Sequence, residues 1–364
     1  MAYEIEFLPV GNGDCSGDAI VLRYTDADGQ WRVMVIDAGY EETGERVCQH
    51  IRRWYGTEHV DFVVSSHPDN DHMSGLRVVL KEMSVGELWM HIPRVHAQEI
   101  AGLFASRRWS LEGLTEALTQ AYPYVEELVD LAVAQGTAIY LPFAGSQIGA
   151  FTVLSPGRSM YLGLLPQFRD TPAPDRQLLQ QFGHWISAVG KRVAQAIRYV
   201  VRENYATETL REGGITSAEN ESCVVLYGKL DGRGVLFTAD AGLNALTAAA
   251  DFAEERGIVI REGLRFFQVP HHGSRNNVSP SILDRLVGPW VPEGQSRPVS
   301  CYISAGEDDE THPRRVVVNA LVRRGLHPTV TKGSIKRAYH GLPQREGWVT
   351  ASSLDFQPTV ESYD

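Results

Sequence analysis

Residues 65–75 read SSHPDNDHMSG, and this stretch determines how the rest of the chain is interpreted. It follows the apolar run VDFVV at 60–64, which is typical of a strand buried on both faces. Within six residues it places four candidate metal ligands, which are His67, Asp69, Asp71 and His72. The alternative is a polar loop that caps a helix starting near Ser74. A lone His-x-Asp would favour that loop, whereas this density of ligands favours a metal site.

The ligand types indicate which metals the site could bind. Imidazole and carboxylate ligands together suit zinc, manganese or iron, and the carboxylates favour manganese more than an all-histidine site would. Alternation after the strand end can direct His67, Asp69 and Asp71 inward, and the turn into the next helix then brings His72 to the same place.

Three further predicted strands end in residues that can bind metal. They are MVIDAG at 34–39, VLFTAD at 235–240 and FQVPHHGS at 267–274, which supply Asp37, Asp240, His271 and His272. Polar groups at strand ends can converge on one face of a layered α/β fold, where ligands usually bind. The sequence therefore predicts one shared site.

The pattern along the chain predicts a mixed α/β fold. Strands and helices are interspersed over 1–90 and after 220, and 231–234 (DGRG) predicts a hairpin turn. Residues 91–215 are mainly helical in pattern, including 184–204, with a strand pair between the helical runs. We interpret 1–364 as a single domain with a mainly helical insertion at 91–215.

Composition excludes several classes of protein. The chain has 364 residues, of which 43% are hydrophobic and 22% charged, so it is not intrinsically disordered. Its four cysteines are widely spaced, which excludes a disulfide scaffold or a zinc ribbon. No basic leader or long apolar run is present, so we expect a cytoplasmic protein that does not bind membranes.

Charge limits how the chain could bind nucleic acid. The formal net charge is −11, so any such binding must be local. Residues 313–345 contain eight Lys or Arg and no Asp or Glu, which is a pattern suited to an anionic polymer or a phosphate. The alternative is that this basic strip, as we call 313–345, is a solvated helix face.

Seven segments, in this order, resemble the hydrolase domain of the DNA-uptake competence protein ComEC, which has the metallo-β-lactamase fold. They are VGNGDCSGDAIVL, VIDAG, SSHPDNDHMSG, NESCVVL, LFTAD, VPHHGS and SAGEDDETHP. SSHPDNDHMSG is similar to the signature HxHxDH, with aspartate in place of the second histidine. The resemblance covers residues 1 to about 90 and about 217 to 325. It implies an αββα sandwich, in which two mixed β-sheets pack face to face with helices outside.

The resemblance also implies a site for two divalent metal ions, zinc or manganese. His67 and Asp69 would bind one ion, Asp71 and His72 the other, and Asp240 would bridge them. One of His271 and His272 would be a further ligand while the other faces the substrate. Asp37 would orient a ligand histidine.

One part of the signature is missing. The superfamily usually supplies a further histidine between the two halves, whereas residues 218–222 read AENES. We assign Asn220 either to that ligand position or to substrate binding.

Two metal ions would polarise a phosphoryl oxygen and generate a hydroxide near neutral pH. Asp71 would orient that hydroxide, and His312 would protonate the leaving oxygen, with His271 or His272 as the second candidate. Ser274 and Arg275 would bind the non-bridging oxygens. By contrast, Asp14 and Asp18 are interpreted as turn or hydrogen-bonding residues, with support of the site as the alternative, and His91, His96 and His184 as structural or surface residues.

These observations support three hypotheses. The first is a metal-dependent phosphodiesterase or nuclease that acts on DNA or RNA. The second is a hydrolase of a small ester, lactone or phosphodiester, with 91–215 covering the site. The third is a metal-binding interaction subunit of a larger assembly, such as a defence system, with 91–215 as the surface that contacts a protein partner.

Overall fold

The structure is a computed structural model and describes residues 2–11, 15–107, 109–174 and 200–363. Most of the helix predicted at 184–204 lies outside the described residues, as do Asp14 and His184.

The described strands form two seven-stranded mixed sheets and one small two-stranded sheet. The first sheet contains β1 (Tyr3–Phe7), β2 (Ala19–Thr25), β3 (Trp31–Ala38), β4 (His59–Val64), β5 (Ser84–Trp89), β6 (Ala138–Tyr140) and β15 (Lys336–His340). Its order is β15-β1-β2-β3-β4-β5-β6. From β3 to β6 the strands are parallel, and the others are antiparallel.

The second sheet contains β7 (Gln147–Ile148), β8 (Phe151–Ser155), β10 (Val225–Leu230), β11 (Arg233–Phe237), β12 (Leu264–Gln268), β13 (Ser300–Ile303) and β14 (His327–Val330). Its order is β14-β13-β12-β11-β10-β8-β7, with the strands from β11 to β14 parallel. The small sheet pairs β9 (Val200–Arg202) with β16 (Thr359–Glu361).

Helices flank both sheets. They are α1 (Glu41–His50), α2 (Asn70–Met73), α3 (Leu76–Glu82), α4 (Ala97–Ile100), α5 (Leu111–Ala121), α6 (Pro123–Gln135), α7 (Arg158–Leu164), α8 (Ala218–Glu221), α9 (Leu243–Glu254), α10 (Pro280–Leu286) and α11 (Arg315–Arg323). A π-helical turn, Ile51–Tyr55, continues α1. Short 3₁₀ helices lie at Pro93–His96, Ala101–Arg107, Leu165–Gln167 and His271–Gly273.

The hydrophobic core has two layers. Between the sheets, inward-facing aromatic side chains pack together, and the Phe7 and Phe266 rings lie 5.8 Å apart. A second cluster fills the space between the sheets and the helices. Full burial of one such side chain contributes about 1.5–3 kcal/mol, so these layers hold the sheets face to face. The predicted αββα arrangement of two mixed sheets is confirmed.

The range 91–215 contributes to both sheets. It contains helices α4 to α7, but β6 extends the first sheet, and β7 and β8 form an edge of the second. Because these strands pair with the core strands, this range is built into the sandwich as well as extending it.

No helix in the described ranges is long and apolar enough to cross a membrane.

Candidate metal centre

The candidate metal centre lies where parallel strands of both sheets end. The carboxyl ends of β3 and β4 are adjacent in the first sheet, and those of β11 and β12 in the second. Parallel neighbours end at the same edge of a sheet, so side chains that follow them meet there. The residues placed at this edge are Asp37, His67, Asp240, His271 and His272.

The segment after β4 turns closely against β3. The Gly75 amide donates to the Gly39 carbonyl (2.7 Å), and a Cβ atom on Gly75 would lie 2.1 Å from the Ala38 carbonyl oxygen. Only glycine allows this approach. It brings α2, which carries Asp71 and His72, against the end of β3.

Asp37 is a buried acceptor that orients His72. Its carboxylate lies 2.9 Å from His72 Nδ1 and accepts from the Ser66 amide (2.8 Å) and hydroxyl (2.5 Å). With Nδ1–H donating to Asp37, the Nε2 lone pair of His72 points away into the site. This carboxylate–histidine pairing is typical of metal ligands.

Asp240 lies at the centre of the histidines. Its Oδ1 is 3.5 Å from His72 Nε2 and 3.8 Å from His272 Nε2, and its Oδ2 is 3.3 Å from His271 Nδ1. The ring centroids of His67 and His72 are 4.3 Å apart. A carboxylate in this position can bind a metal ion together with the neighbouring imidazoles.

Buried polar atoms without a hydrogen-bond partner indicate whether these residues suit a metal ion. His67 Nε2, His72 Nε2 and Asp240 Oδ1 are buried and have no hydrogen-bond partner among the described residues. A buried polar atom without a partner lowers the stability of the folded state by about 1–3 kcal/mol. Three such atoms in one cluster are unusual. A cation would satisfy all of them. Close ligand groups also combine His72 with Asp71 and His272, and with Asp18 and Asp240.

The electrostatics of the centre also favour a cation. Burial raises the pKa of Asp240, but the neighbouring His271, His72 and His272 lower it by a larger amount. The pKa of Asp240 therefore lies well below the usual value. Burial lowers the pKa of His72, but Asp240 and Asp37 raise it well above the usual value. In both cases the charge on the neighbouring group outweighs desolvation. A divalent cation would supply the positive charge that Asp240 and Asp37 stabilise.

The two adjacent histidines have different surroundings. His272 Nδ1 donates to the Ser304 carbonyl (2.9 Å), which leaves its Nε2 lone pair facing Asp240. His271 is 18% exposed at its side chain, and its Nδ1 accepts from Asn220 Nδ2 (2.5 Å). The geometry therefore favours His272 as the ligand and His271 as the residue that faces the substrate.

Backbone strain is concentrated at the centre. Asp37, Ala239, His271 and His272 have φ values of 54°, 45°, 46° and 56°, in the left-handed region that non-glycine residues avoid. Each such conformation costs on the order of 1 kcal/mol, and such strain clusters at functional sites. Here it directs the carboxylates and imidazoles at the ends of β3, β11 and β12 towards one point.

Asn220 lies beside the centre, and its side chain is buried. It is 1% exposed, its Oδ1 accepts from the Ser217 hydroxyl (2.7 Å), and its Nδ2 contacts His271. Both ends of the amide are therefore engaged. The assignment of Asn220 to substrate binding is corrected to positioning His271, because its amide faces that ring.

Arg275 and Ser274, which the sequence analysis assigned to the non-bridging oxygens of a phosphate, both make contacts within the protein. The Arg275 Nη1 donates to the Ser362 carbonyl (2.6 Å), and its guanidinium lies 4.2 Å from the Tyr363 ring. Its charge is directed at the C-terminal segment, so its assignment to substrate binding is corrected. Ser274 is 8% exposed, and its hydroxyl accepts from the Asn276 amide (3.3 Å), which is a turn contact.

His312 lies at the centre, held by a carboxylate that the sequence analysis did not single out. Its ring centroid is 6.3 Å from that of His271 and 6.2 Å from that of His272. Asp309 Oδ2 lies 2.9 Å from His312 Nδ1 and also accepts from the Ser16 hydroxyl (2.8 Å). Burial raises the pKa of Asp309, but bonds from His312, Thr311 and Ser16 lower it well below the usual value.

Two further residues lie near the site, of which Asp18 had been interpreted mainly as a turn residue and Arg169 had not been singled out. Asp18 is 2% exposed, accepts from Gln268 Nε2 (2.8 Å) and lies 3.8 Å from His72 Nδ1. Burial raises its pKa to about 6. Its place in the VGNGDCSGDAIVL segment was a usable signal. Arg169 contacts Asp69, and no motif near it in the sequence indicated this.

Four of the eight basic residues in the basic strip pair with carboxylates inside the fold. Arg323 and Arg324 are buried and pair with Glu203 and Glu208, at 3.0 and 2.7 Å. Arg337 and Arg345 pair with the buried carboxylate of Glu4, at 2.5 and 3.0 Å. These four charges are paired within the fold, which leaves Arg314, Arg315, Lys332 and Lys336 for the expected anion binding, and that use of the strip stays a prediction.

His91 leads to a prediction about acid stability. It is buried, stacks on Tyr161 at 4.1 Å between centroids, and neither ring nitrogen has a partner among the described residues. Burial, with a smaller contribution from His96, lowers its pKa to about 3. The unfolded chain takes up a proton near pH 6.5 and the folded chain does not, so stability present above pH 6.5 is lost as the pH falls towards 3.

We expect His91→Phe to remove this loss, which amounts to about 2 kcal/mol at pH 5. Urea unfolding of metal-free wild type and variant at pH 7 and pH 5 measures it. The wild type should lose about 2 kcal/mol more than the variant between the two pH values. Equal losses would show that His91 takes up its proton over the same pH range in the folded and the unfolded chain, which would contradict the lowered pKa.

Comparisons with known proteins add the following. The chain matches no family model and no curated protein. Among solved structures, it is similar to a diphosphatase of the PhnP family (TM-score 0.39, 13% identity, covering 99% of this chain and 100% of that one). It is also similar to a long form RNase Z from yeast (TM-score 0.35, 12% identity, 99% and 42%). A third is a metallo-β-lactamase bound to 2-mercaptoethanesulfonate (TM-score 0.29, 10% identity, 72% and 77%). At these values nothing follows about what this chain binds or hydrolyses.

Proposed function

We propose that this protein is a cytoplasmic, metal-dependent phosphodiesterase that acts on DNA or RNA. The observation that carries the proposal is the convergence of three buried, unpaired ligand atoms, on His67, His72 and Asp240, at one edge of the sandwich. The order of the segments that resemble the ComEC hydrolase domain supports it.

The proposed ligands divide into two groups around Asp240. His67 and Asp69 would hold one divalent ion, Asp71, His72 and His272 the other, and Asp240 would contact both. The mixture of imidazole and carboxylate suits zinc or manganese. When bound, such ions supply Lewis acidity and a water of lowered pKa.

The chain's own residues would handle the proton and the orientation of the substrate. Asp309 holds Nδ1–H of His312, so a protonated His312 can donate its Nε2 proton to the leaving oxygen as the P–O bond breaks. Asp71, whose side chain is 30% exposed, would accept the proton of the attacking water.

A small phosphodiester is the second candidate substrate. The observation in its favour is that Arg323, Arg324, Arg337 and Arg345 pair with carboxylates of the fold, which halves the number of basic residues that the strip could offer to a long polymer.

The test is cleavage of labelled single- and double-stranded oligonucleotides by protein stripped of metal and then given manganese or zinc. We expect cleavage that depends on metal and that falls by at least about 100-fold in Asp71→Ala, because the attacking water loses its oriented proton acceptor. Asp28→Ala, at an exposed turn, is the matched control and also exposes any contaminating nuclease.

Other outcomes distinguish the alternatives. Cleavage of bis(p-nitrophenyl) phosphate without cleavage of oligonucleotides would support the small substrate. Metal binding with no hydrolysis of either would contradict the enzyme proposal. It would favour the metal-binding subunit, for which a protein partner that contacts the 91–215 insertion would then be sought.

A further inference from the structure

Arg169 brings a cation from the 91–215 insertion to the metal centre. It follows α7 and the 3₁₀ turn Leu165–Gln167, and its Nη2 lies 2.5 Å from Asp69 Oδ1. The other oxygen of Asp69, Oδ2, lies 3.8 Å from His67 Nε2, one of the unpaired ligand atoms. One carboxylate oxygen therefore faces the arginine, and the other faces the proposed metal position.

Glu219 fixes the opposite side of this arginine. Its Oε1 accepts from both the Arg169 amide (2.6 Å) and Nε (3.0 Å). Glu219 is 3% exposed and lies in α8, the segment where the superfamily usually supplies a histidine. A guanidinium held at Nε and at one Nη2 hydrogen cannot rotate away from the site.

Arg169 pairs with two carboxylates, Asp69 and Glu219, although one would be enough if its role were only to neutralise Asp69. A second buried carboxylate adds a desolvation cost of several kcal/mol, which a simple counter-ion for Asp69 would not justify. Glu219 instead determines where the guanidinium points. A fixed orientation of the guanidinium is needed when its N–H donors must align with the oxygens of a bound ligand.

Donors remain on the outer edge of the guanidinium. Nη1 has no acceptor among the described residues, and the side chain is 51% exposed. A planar guanidinium with free N–H groups is well suited to the paired oxygens of a phosphate. Arg275, the cation expected at this site, points elsewhere, so Arg169 is the arginine that the described structure places there.

We propose that Arg169, held by Glu219, forms a binding subsite for a tetrahedral oxyanion beside Asp69, which receives the non-bridging oxygens of a phosphate ester. This inference rests on the proposed function for its substrate, but anion binding can be measured without catalysis.

The test uses isothermal titration of inorganic phosphate into the full-length, zinc-loaded protein. We expect Arg169→Gln to weaken phosphate binding by about 10- to 100-fold with unchanged zinc content, because a hydrogen bond to a charged group is lost. Arg169→Lys should recover part of the affinity, since it keeps the charge but not the planar pair of donors. Glu219→Gln should weaken binding as well, although Glu219 lies behind the arginine.

Arg158→Gln is the matched control. Arg158 is a neighbouring, exposed arginine of the same insertion, paired with Glu99, and its removal should leave phosphate affinity within about twofold. Unchanged phosphate affinity in Arg169→Gln would overturn the proposal. Parallel loss of zinc and phosphate would also overturn it, because Arg169 would then act only by holding Asp69.

Activity separates this inference from the proposed function. If the wild type hydrolyses phosphodiesters while Arg169→Gln keeps its phosphate affinity and KM, the subsite fails and the function stands. If the wild type hydrolyses nothing but Arg169→Gln loses phosphate binding, the subsite stands and the proposed reaction fails.

Discussion

Replacing Asp240 with asparagine is expected to reduce the affinity for divalent metal by more than about 100-fold and to abolish metal-dependent hydrolysis. Loss of a residue that only supports a metal ligand costs about 10- to 100-fold in metal affinity, so loss of a residue proposed as a direct ligand should cost more. Asp240 lies within 3.8 Å of His72, His271 and His272. An asparagine would present one neutral oxygen and an N–H group there.

The measurement is zinc and manganese binding by calorimetry, with metal content determined after dialysis. A second readout is thermal unfolding, because metal that binds only the folded chain raises Tm by an amount that grows with the logarithm of its affinity. The wild type should gain stability on adding metal and Asp240→Asn should not. Asp28→Asn, at an exposed turn, is the control. Wild-type metal affinity in Asp240→Asn would exclude Asp240 from the ligand set.

The second large effect is expected at His312. His312→Gln should lower kcat about 10²- to 10⁴-fold on substrates whose leaving group is an alcohol, because the leaving oxygen needs a proton. With p-nitrophenol as the leaving group, which departs readily as the anion, the loss should be much smaller. Zinc content should not change, since His312 is outside the proposed ligand set.

The loss of kcat on alcohol substrates, divided by the loss on p-nitrophenol substrates, decides whether His312 donates the proton. Asp309→Asn should produce the same pattern with a smaller amplitude, because Asp309 acts through Nδ1 of His312. His327→Gln, at an exposed histidine of β14, is the matched control. Equal losses of kcat on alcohol and nitrophenol substrates would show that His312 positions the substrate and does not donate the proton.

Several parts of the site could be predicted because their signals are local. His67, Asp69, Asp71 and His72 lie within one turn after a buried strand, so their proximity follows from the chain itself. Asp37 and Asp240 could be added because each lies at or just after the end of a strand, and strands of a layered α/β fold can end at one edge.

Other parts could not be predicted because they depend on distant partners. The sequence of the basic strip suggested one cationic surface. In the structure Arg323 pairs with Glu203 and Arg337 with Glu4, and both carboxylates are remote in sequence from the strip. Charge counts along a chain do not show which carboxylates the fold brings opposite them. Arg275 was misassigned for the same reason, since its partners are in the C-terminal segment.

The sequence by itself predicted a mixed α/β fold and a cluster of candidate metal ligands, because strand burial and motif spacing are properties of short segments. The αββα sandwich followed from the resemblance to a known family, and the structure confirmed it. The tertiary structure decided which of these side chains face one another. It placed His272 with its Nε2 towards Asp240, because the Ser304 carbonyl holds the other nitrogen. It also brought Arg169 to Asp69 across 100 residues, a contact that requires the insertion to pack against the site.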